Sequence, residues 1–206
     1  MSPYLVFGAA YAFAAAVQPG QFQAYLISRT LANGWRSTLP AVLAPILSDV
    51  PIVTLALLVL THVPPLFVHL LRMAGGAFLL YLAWGAARAY RNYAAQPSTS
   101  AAPPYRTLFE AVFVNLLNPN PYLAWTLILG PLLLEAWRES ALAAFGLLVA
   151  FYLTMVVASA GLVLLFAMAR SIGPRVARPL VAASAVALAA FGVYQLWSGL
   201  SDSRWL

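Results

Sequence analysis

Cysteine is absent from the 206 residues, so disulfides, thiolate metal sites and cysteine nucleophiles are excluded, while the compartment is left open. Lysine is absent too, since all eleven basic residues are arginine; this is a compositional bias without chemistry of its own. Charge of either sign is scarce. Charged residues make up 8% of the chain and hydrophobic ones 63%, with a mean hydropathy of +0.85, far from the roughly one-quarter charged composition of soluble domains. An integral membrane protein in a lipid bilayer follows. The net charge of +6 does not point to nucleic acid, because the arginines lie between apolar runs, where positive charge reports membrane topology. No phosphate-cradling glycine loop, HExxH or nucleophile elbow occurs, so neither cofactor nor metal is expected. The two histidines, His62 and His69, have no nearby acid or cysteine with which to hold an ion.

What the chain does have is long apolar runs. A span needs about 20 such residues, and six segments are read: Tyr4 to Ser28, Leu39 to Leu60, Leu71 to Ala89, Leu108 to Leu134, Ala141 to Ala169, and Pro179 to Leu200. The first is expected to be retained rather than cleaved as a signal peptide, because no positive region precedes it and the apolar run continues past Pro19. The loops after spans one, three and five hold Arg29, Arg36, Arg88, Arg91, Arg106, Arg170, Arg175 and Arg178, against Arg72, Arg138 and Arg204 opposite. The positive-inside rule makes the arginine-rich side cytoplasmic and puts both termini outside a multi-pass inner membrane protein.

The stretch 92–106, rich in Ala, Pro, Ser and Thr, reads as a cytoplasmic linker between a first three-helix repeat, 1–91, and a second, 107–206. The halves echo each other. "VQPGQFQAYLI" (Val17 to Ile27) is matched by "LNPNPYLAWTL" (Leu117 to Leu127), and "LYLAWG" (Leu80 to Gly85) by "VYQLWSG" (Val193 to Gly199). A repeat with an odd number of spans must insert upside down on its second copy. The expected fold is therefore an all-α integral membrane protein of six transmembrane helices in two inverted three-helix repeats, with broken helices at Pro19 and Pro119.

Each break carries chemistry. Proline within a helix strands the carbonyl four residues earlier, here those of Ala15 and Asn115, and such groups persist in a bilayer only where protein or a watery cavity surrounds them. An amide, Gln18 or Asn118, stands beside each proline, and Gly20 permits close approach of the backbone. A half-helix N-terminus suits a carboxylate. Gln18, Pro19, Gly20, Gln23, Asn115, Asn118, Pro119, Asn120 and Tyr122 are thus the candidate substrate-binding residues; the alternative is simple proline kinks. Asp49 in "APILSDVPIV" is the one acid deep within a span, and an intramembrane carboxylate is a functional candidate by default, for a proton or an ammonium group; the alternative is interhelical hydrogen bonding. Pro45 and Pro51 bracket it, so irregular helix is expected there. Glu110 beside Arg106 reads as a solvated ion pair.

At these residues the chain resembles the lysine exporter (LysE) family of amino-acid translocators. The resemblance is carried by Pro19-Gly20, by Ser28-Arg29 and the "NGWR" turn (Asn33 to Arg36), and by "LLNPNPYL" (Leu116 to Leu123); "ILSD" (Ile46 to Asp49) is similar to the branch exporting basic amino acids. Where the family usually has Pro-Gly-Pro, this chain has Pro19-Gly20-Gln21. The resemblance implies a secondary transporter exporting amino acids, basic ones among them, or similar zwitterions. Proton antiport by alternating access is the expected mechanism, with homo-oligomerisation left open. The competing readings are a channel, whose flux would be insensitive to Asp49, a membrane-embedded enzyme, for which Glu135, Glu139 and Asp202 form no recognisable motif, and a scaffold.

Overall fold

The computed structural model describes residues 3–58, 65–92 and 103–201, and the regular structure among them is helical. Most of the expected linker, together with His62, Asp202 and Arg204, lies outside the described residues. The chain opens with α1 (Pro3–Val17), breaks, and resumes as α2 (Gln21–Asn33). A short α3 (Trp35–Thr38) runs through a 3-10 segment (Leu39–Leu43) into α4 (Ala44–Leu58), and α5 follows (Pro65–Asn92). Helix α6 (Pro104–Leu116) starts within the expected linker. After the second break come α7 (Pro119–Ala124), a π turn (Trp125–Leu129), α8 (Gly130–Glu139), α9 (Ala141–Ser171) and α10 (Pro174–Ser201).

Among the described residues, four helical stretches are long and apolar enough to cross a membrane: Trp35–Ala56, His69–Arg88, Ala141–Ser171 and Pro174–Ser201. They coincide with expected spans two, three, five and six. The other two expected spans are the ones that the breaks interrupt: α1 alone has 15 residues, about 22 Å at 1.5 Å per residue. Span two is irregular where expected, in the 3-10 segment ahead of Pro45, while Pro51 sits inside a continuing α4. Pro179 likewise lies inside α10, which begins about one turn earlier, at Pro174, than the expected start of span six.

Packing follows small residues. Helices α5 and α10 run antiparallel and touch along much of their length. A Cβ on Gly76 would stand 2.8 Å from the Gly192 carbonyl, and one on Gly192 would stand 3.0 Å from the Gly76 carbonyl. The two backbones therefore meet where neither has a side chain, the way membrane helices gain close contact. Helix α1 packs along α9, and α6 packs against α4 and the 3-10 segment before it. The outer face of α9 exposes Leu142, Val149, Leu153 and Val157, an apolar surface suited to lipid rather than water.

The buried apolar residues fall into two clusters. One joins Tyr4, Ala12 and Ala16 to Trp125, Leu129, Leu147 and Phe151; the other joins Phe22, Tyr25 and Leu26 to Leu82, Val114 and Leu188. The chain passes from one cluster to the other at each break, so the polar break residues collect in the seam between them.

Candidate functional site

A cavity of about 470 Å³ occupies that seam. Gln18, Pro19, Gly20, Gln23, Asp49, Asn115, Asn118 and Asn120 all lie on its wall. The structure thus brings the two breaks, a hundred residues apart in sequence, to one space. Pro119 and Tyr122 are not on the wall: both are buried, and the Tyr122 hydroxyl donates to the Leu116 carbonyl (3.0 Å) while its ring meets Phe67 edge-on, with centroids 5.1 Å apart.

The carbonyls stranded by the two prolines are recovered in two different ways. Gln23, not Gln18, reaches back across the first break, its Nε2 donating to the Ala15 carbonyl (2.9 Å). At the second break the Asn118 backbone N–H donates to the Asn115 carbonyl (3.2 Å), and Asn118 Oδ1 accepts from the Asn120 N–H (3.1 Å). That second contact is an N-cap. With Pro119 and Pro121 lacking N–H groups, it takes up the early backbone donor of α7. Helix α2 has no such cap. Gly20 enters it extended (φ −156°, ψ 179°), and the first intrahelical bond runs from the Ala24 N–H to the Gly20 carbonyl. The N–H groups of Gln21, Phe22 and Gln23 keep no intrahelical partner, and these residues line the cavity.

Of three amides at each break, two are spent on the fold, Gln21 and Gln23 at the first and Asn115 and Asn118 at the second, and one is not. The side chains of Gln18 and Asn120, both exposed on the cavity wall, make no hydrogen bond among the described residues.

Asp49 is 3% exposed and accepts three hydrogen bonds, all from neutral groups. Trp125 Nε1 (3.1 Å) and the Tyr152 hydroxyl (3.2 Å) donate to Oδ2, and Asn115 Nδ2 (3.3 Å) to Oδ1. Asn115 Nδ2 also reaches Ser48 Oγ at 2.7 Å. Trp125 opens the π turn, a local widening of the helix that recurs at functional sites. Asp49 precedes the expected linker and its three donors follow it, so the carboxylate ties the two parts of the chain together.

Glu110 is a correction to the solvated pair expected. Its side chain is 13% exposed and sits among Arg29 Nη2 (2.5 Å), Arg106 Nε (3.0 Å) and the Tyr25 hydroxyl (3.0 Å). This cluster joins α2 to α6 about five residues beyond Asn115, or ~7 Å along the helix, on the side that bears the arginine-rich loops.

The sequence profile of the LysE type translocator family matches residues 13–199, which include both breaks and Asp49. The chain belongs to that family. It is a multi-pass membrane translocator that exports amino acids or other small solutes, a transporter and not an enzyme. Comparison with curated proteins and with solved structures gives no significant match. For this LysE type translocator, sequence reasoning missed Tyr11, Gln21, Trp125, Phe151 and Met155 on the cavity wall, and Ser48 and Tyr152 around Asp49. The available signal was slight: an indole and a phenol in otherwise apolar spans, each with one polar atom that must find a partner when buried.

Proposed function

We propose that this LysE type translocator is a proton-coupled secondary exporter of amino acids in the cytoplasmic membrane, with both termini outside. It works by alternating access between two inverted three-span halves around the cavity at the paired breaks. The observation that carries the reading is Asp49 on the cavity wall, in one half, held by Asn115, Trp125 and Tyr152, all in the other. Hydrogen bonds to a charged acceptor are roughly twice as strong as neutral ones. Protonating Asp49 therefore loosens the bond between the halves, and losing the proton tightens it, which is how a proton gradient drives their relative movement.

The packing supports the inverted symmetry. A two-fold axis in the membrane plane that exchanges the halves requires span four to pack on span two whenever span one packs on span five, and maps a pairing of span three with span six onto itself. Helix α1 packs on α9, α6 on the α4 span, and α5 on α10. Substrate sits with its carboxylate at the uncapped N-terminus of α2, flanked by the free amides of Gln18 and Asn120, with Pro19, Gly20, Gln23, Asn115 and Asn118 shaping the wall. The Arg29–Glu110–Arg106 cluster closes the cytoplasmic side.

The test is efflux from proteoliposomes loaded with radiolabelled amino acids and placed under an imposed pH gradient. Wild type is expected to show gradient-driven, saturable flux, and folded Asp49→Asn to lose the gradient dependence. Coupled export unimpaired in Asp49→Asn would overturn the assigned role of the acid.

A further inference from the structure

Resting on that export reading, we infer that the cargo is an amino acid with an uncharged, apolar side chain, and that Tyr11, Phe151 and Met155 set this preference. The first argument is an inventory of charge. Among the described residues, Asp49 is the sole ionisable acid on the cavity wall, and no arginine or histidine lies there. A carboxylate offers about four lone-pair sites, and three are already engaged by Trp125, Tyr152 and Asn115. What remains accommodates one cationic group. Every amino acid brings one, its α-ammonium. Lysine and arginine bring a second, and a cation left unpaired at membrane depth is strongly disfavoured. Glu110 is held by two arginines and is not on the wall.

The second argument is the apolar part of the wall. Phe151 and Met155 stand one turn apart on α9, so both side chains fall on the same helix face, and both line the cavity. The Tyr11 ring lies 6.4 Å from that of Phe151, whose other ring neighbours are Trp125, edge-on at 5.7 Å, and Tyr152, edge-on at 5.0 Å. An aromatic surface ending in an unbranched, polarisable thioether suits an apolar side chain, and the flexibility of Met155 lets it accept several shapes. The likeness of "ILSD" to the basic-amino-acid branch points the other way, but here three neutral donors leave the acid of that motif room for one cationic group only, which the α-ammonium takes.

The full chain, reconstituted in proteoliposomes under a pH gradient, is loaded separately with labelled leucine, methionine, phenylalanine, lysine and arginine. The apolar substrates are expected to leave at least tenfold faster than lysine or arginine. Met155→Glu, which adds a second carboxylate to the apolar wall, should lower the leucine-to-arginine ratio by about tenfold or more, and Phe151→Val should lower the preference for phenylalanine over methionine by a similar ~10-fold, the scale of a modest change in a hydrophobic pocket. Lysine or arginine carried as fast as leucine by wild type would overturn the inference and leave the export reading standing. Absence of flux for all five, from folded and correctly inserted protein, would overturn the export reading and the specificity with it.

Discussion

At the first break Gly20 leads into α2 without a cap, and a glutamine three residues on, Gln23, returns to mend the preceding helix. At the second break the asparagine just before Pro119 caps the following helix with its own side chain, and Tyr122 takes the Leu116 carbonyl. Two stretches of similar sequence thus resolve the same proline problem in opposite directions. The first leaves the start of α2 uncapped beside the cavity, whereas the second caps its early donor and contributes side chains: Asn115 and Trp125 to Asp49, Asn120 to the open space. The two halves of the proposed inverted repeat need not be chemically symmetric. On the proposed function a zwitterion and a proton are different cargoes, and the two breaks would divide the work of holding them.

The comparison is most sharply broken by giving the first break the cap that the second has. Gly20→Asn should supply an oxygen to the α2 N–H groups and weaken substrate binding by about tenfold or more, the scale of one hydrogen bond to a charged group, with stability changed by only a few tenths of a kcal/mol. Isothermal titration together with thermal unfolding in detergent separates the two effects. Next in size is Gln23→Ala. It strands the Ala15 carbonyl and is expected to destabilise the protein by about 1–3 kcal/mol, measured as a lower unfolding temperature. Asn118→Ala removes a cap worth ~1 kcal/mol; its loss should appear chiefly as stability, with substrate affinity falling less than in Gly20→Asn. The smallest effect belongs to Arg106→Ala. Its guanidinium is 57% exposed in an i,i+4 pair with Glu110, so removing it should shift stability by no more than about 0.5 kcal/mol, whereas Arg29→Ala, at the partner that is only 19% exposed, should cost more.

Much of this was legible in the sequence. Prolines, amides and a lone acid cannot hide in a chain this apolar, so both breaks and Asp49 stood out, and length alone marked the four long spans. The faces of those spans did not stand out. A helix that is hydrophobic all round has no polar stripe to say which side turns inward, and α9 is such a helix. Nothing in "LLVAFYLTMVVAS" distinguishes Phe151, Tyr152 and Met155, which face the cavity or Asp49, from the exposed Leu153 and Val157. Glu110 was misjudged for a related reason. Its close sequence neighbour Arg106 suggested a surface pair, while the partner that buries it, Arg29, lies 81 residues away.

The central claim is that both breaks face one substrate-filled space. The chain has no cysteine, so single thiols can be introduced on the wall from each side, as Ala15→Cys and Leu123→Cys, and their labelling by a maleimide followed with and without a transported amino acid. Protection of both thiols at the same half-saturating concentration is the predicted result. Labelling of both at unchanged rates under saturating substrate, or protection of one alone, would contradict the account.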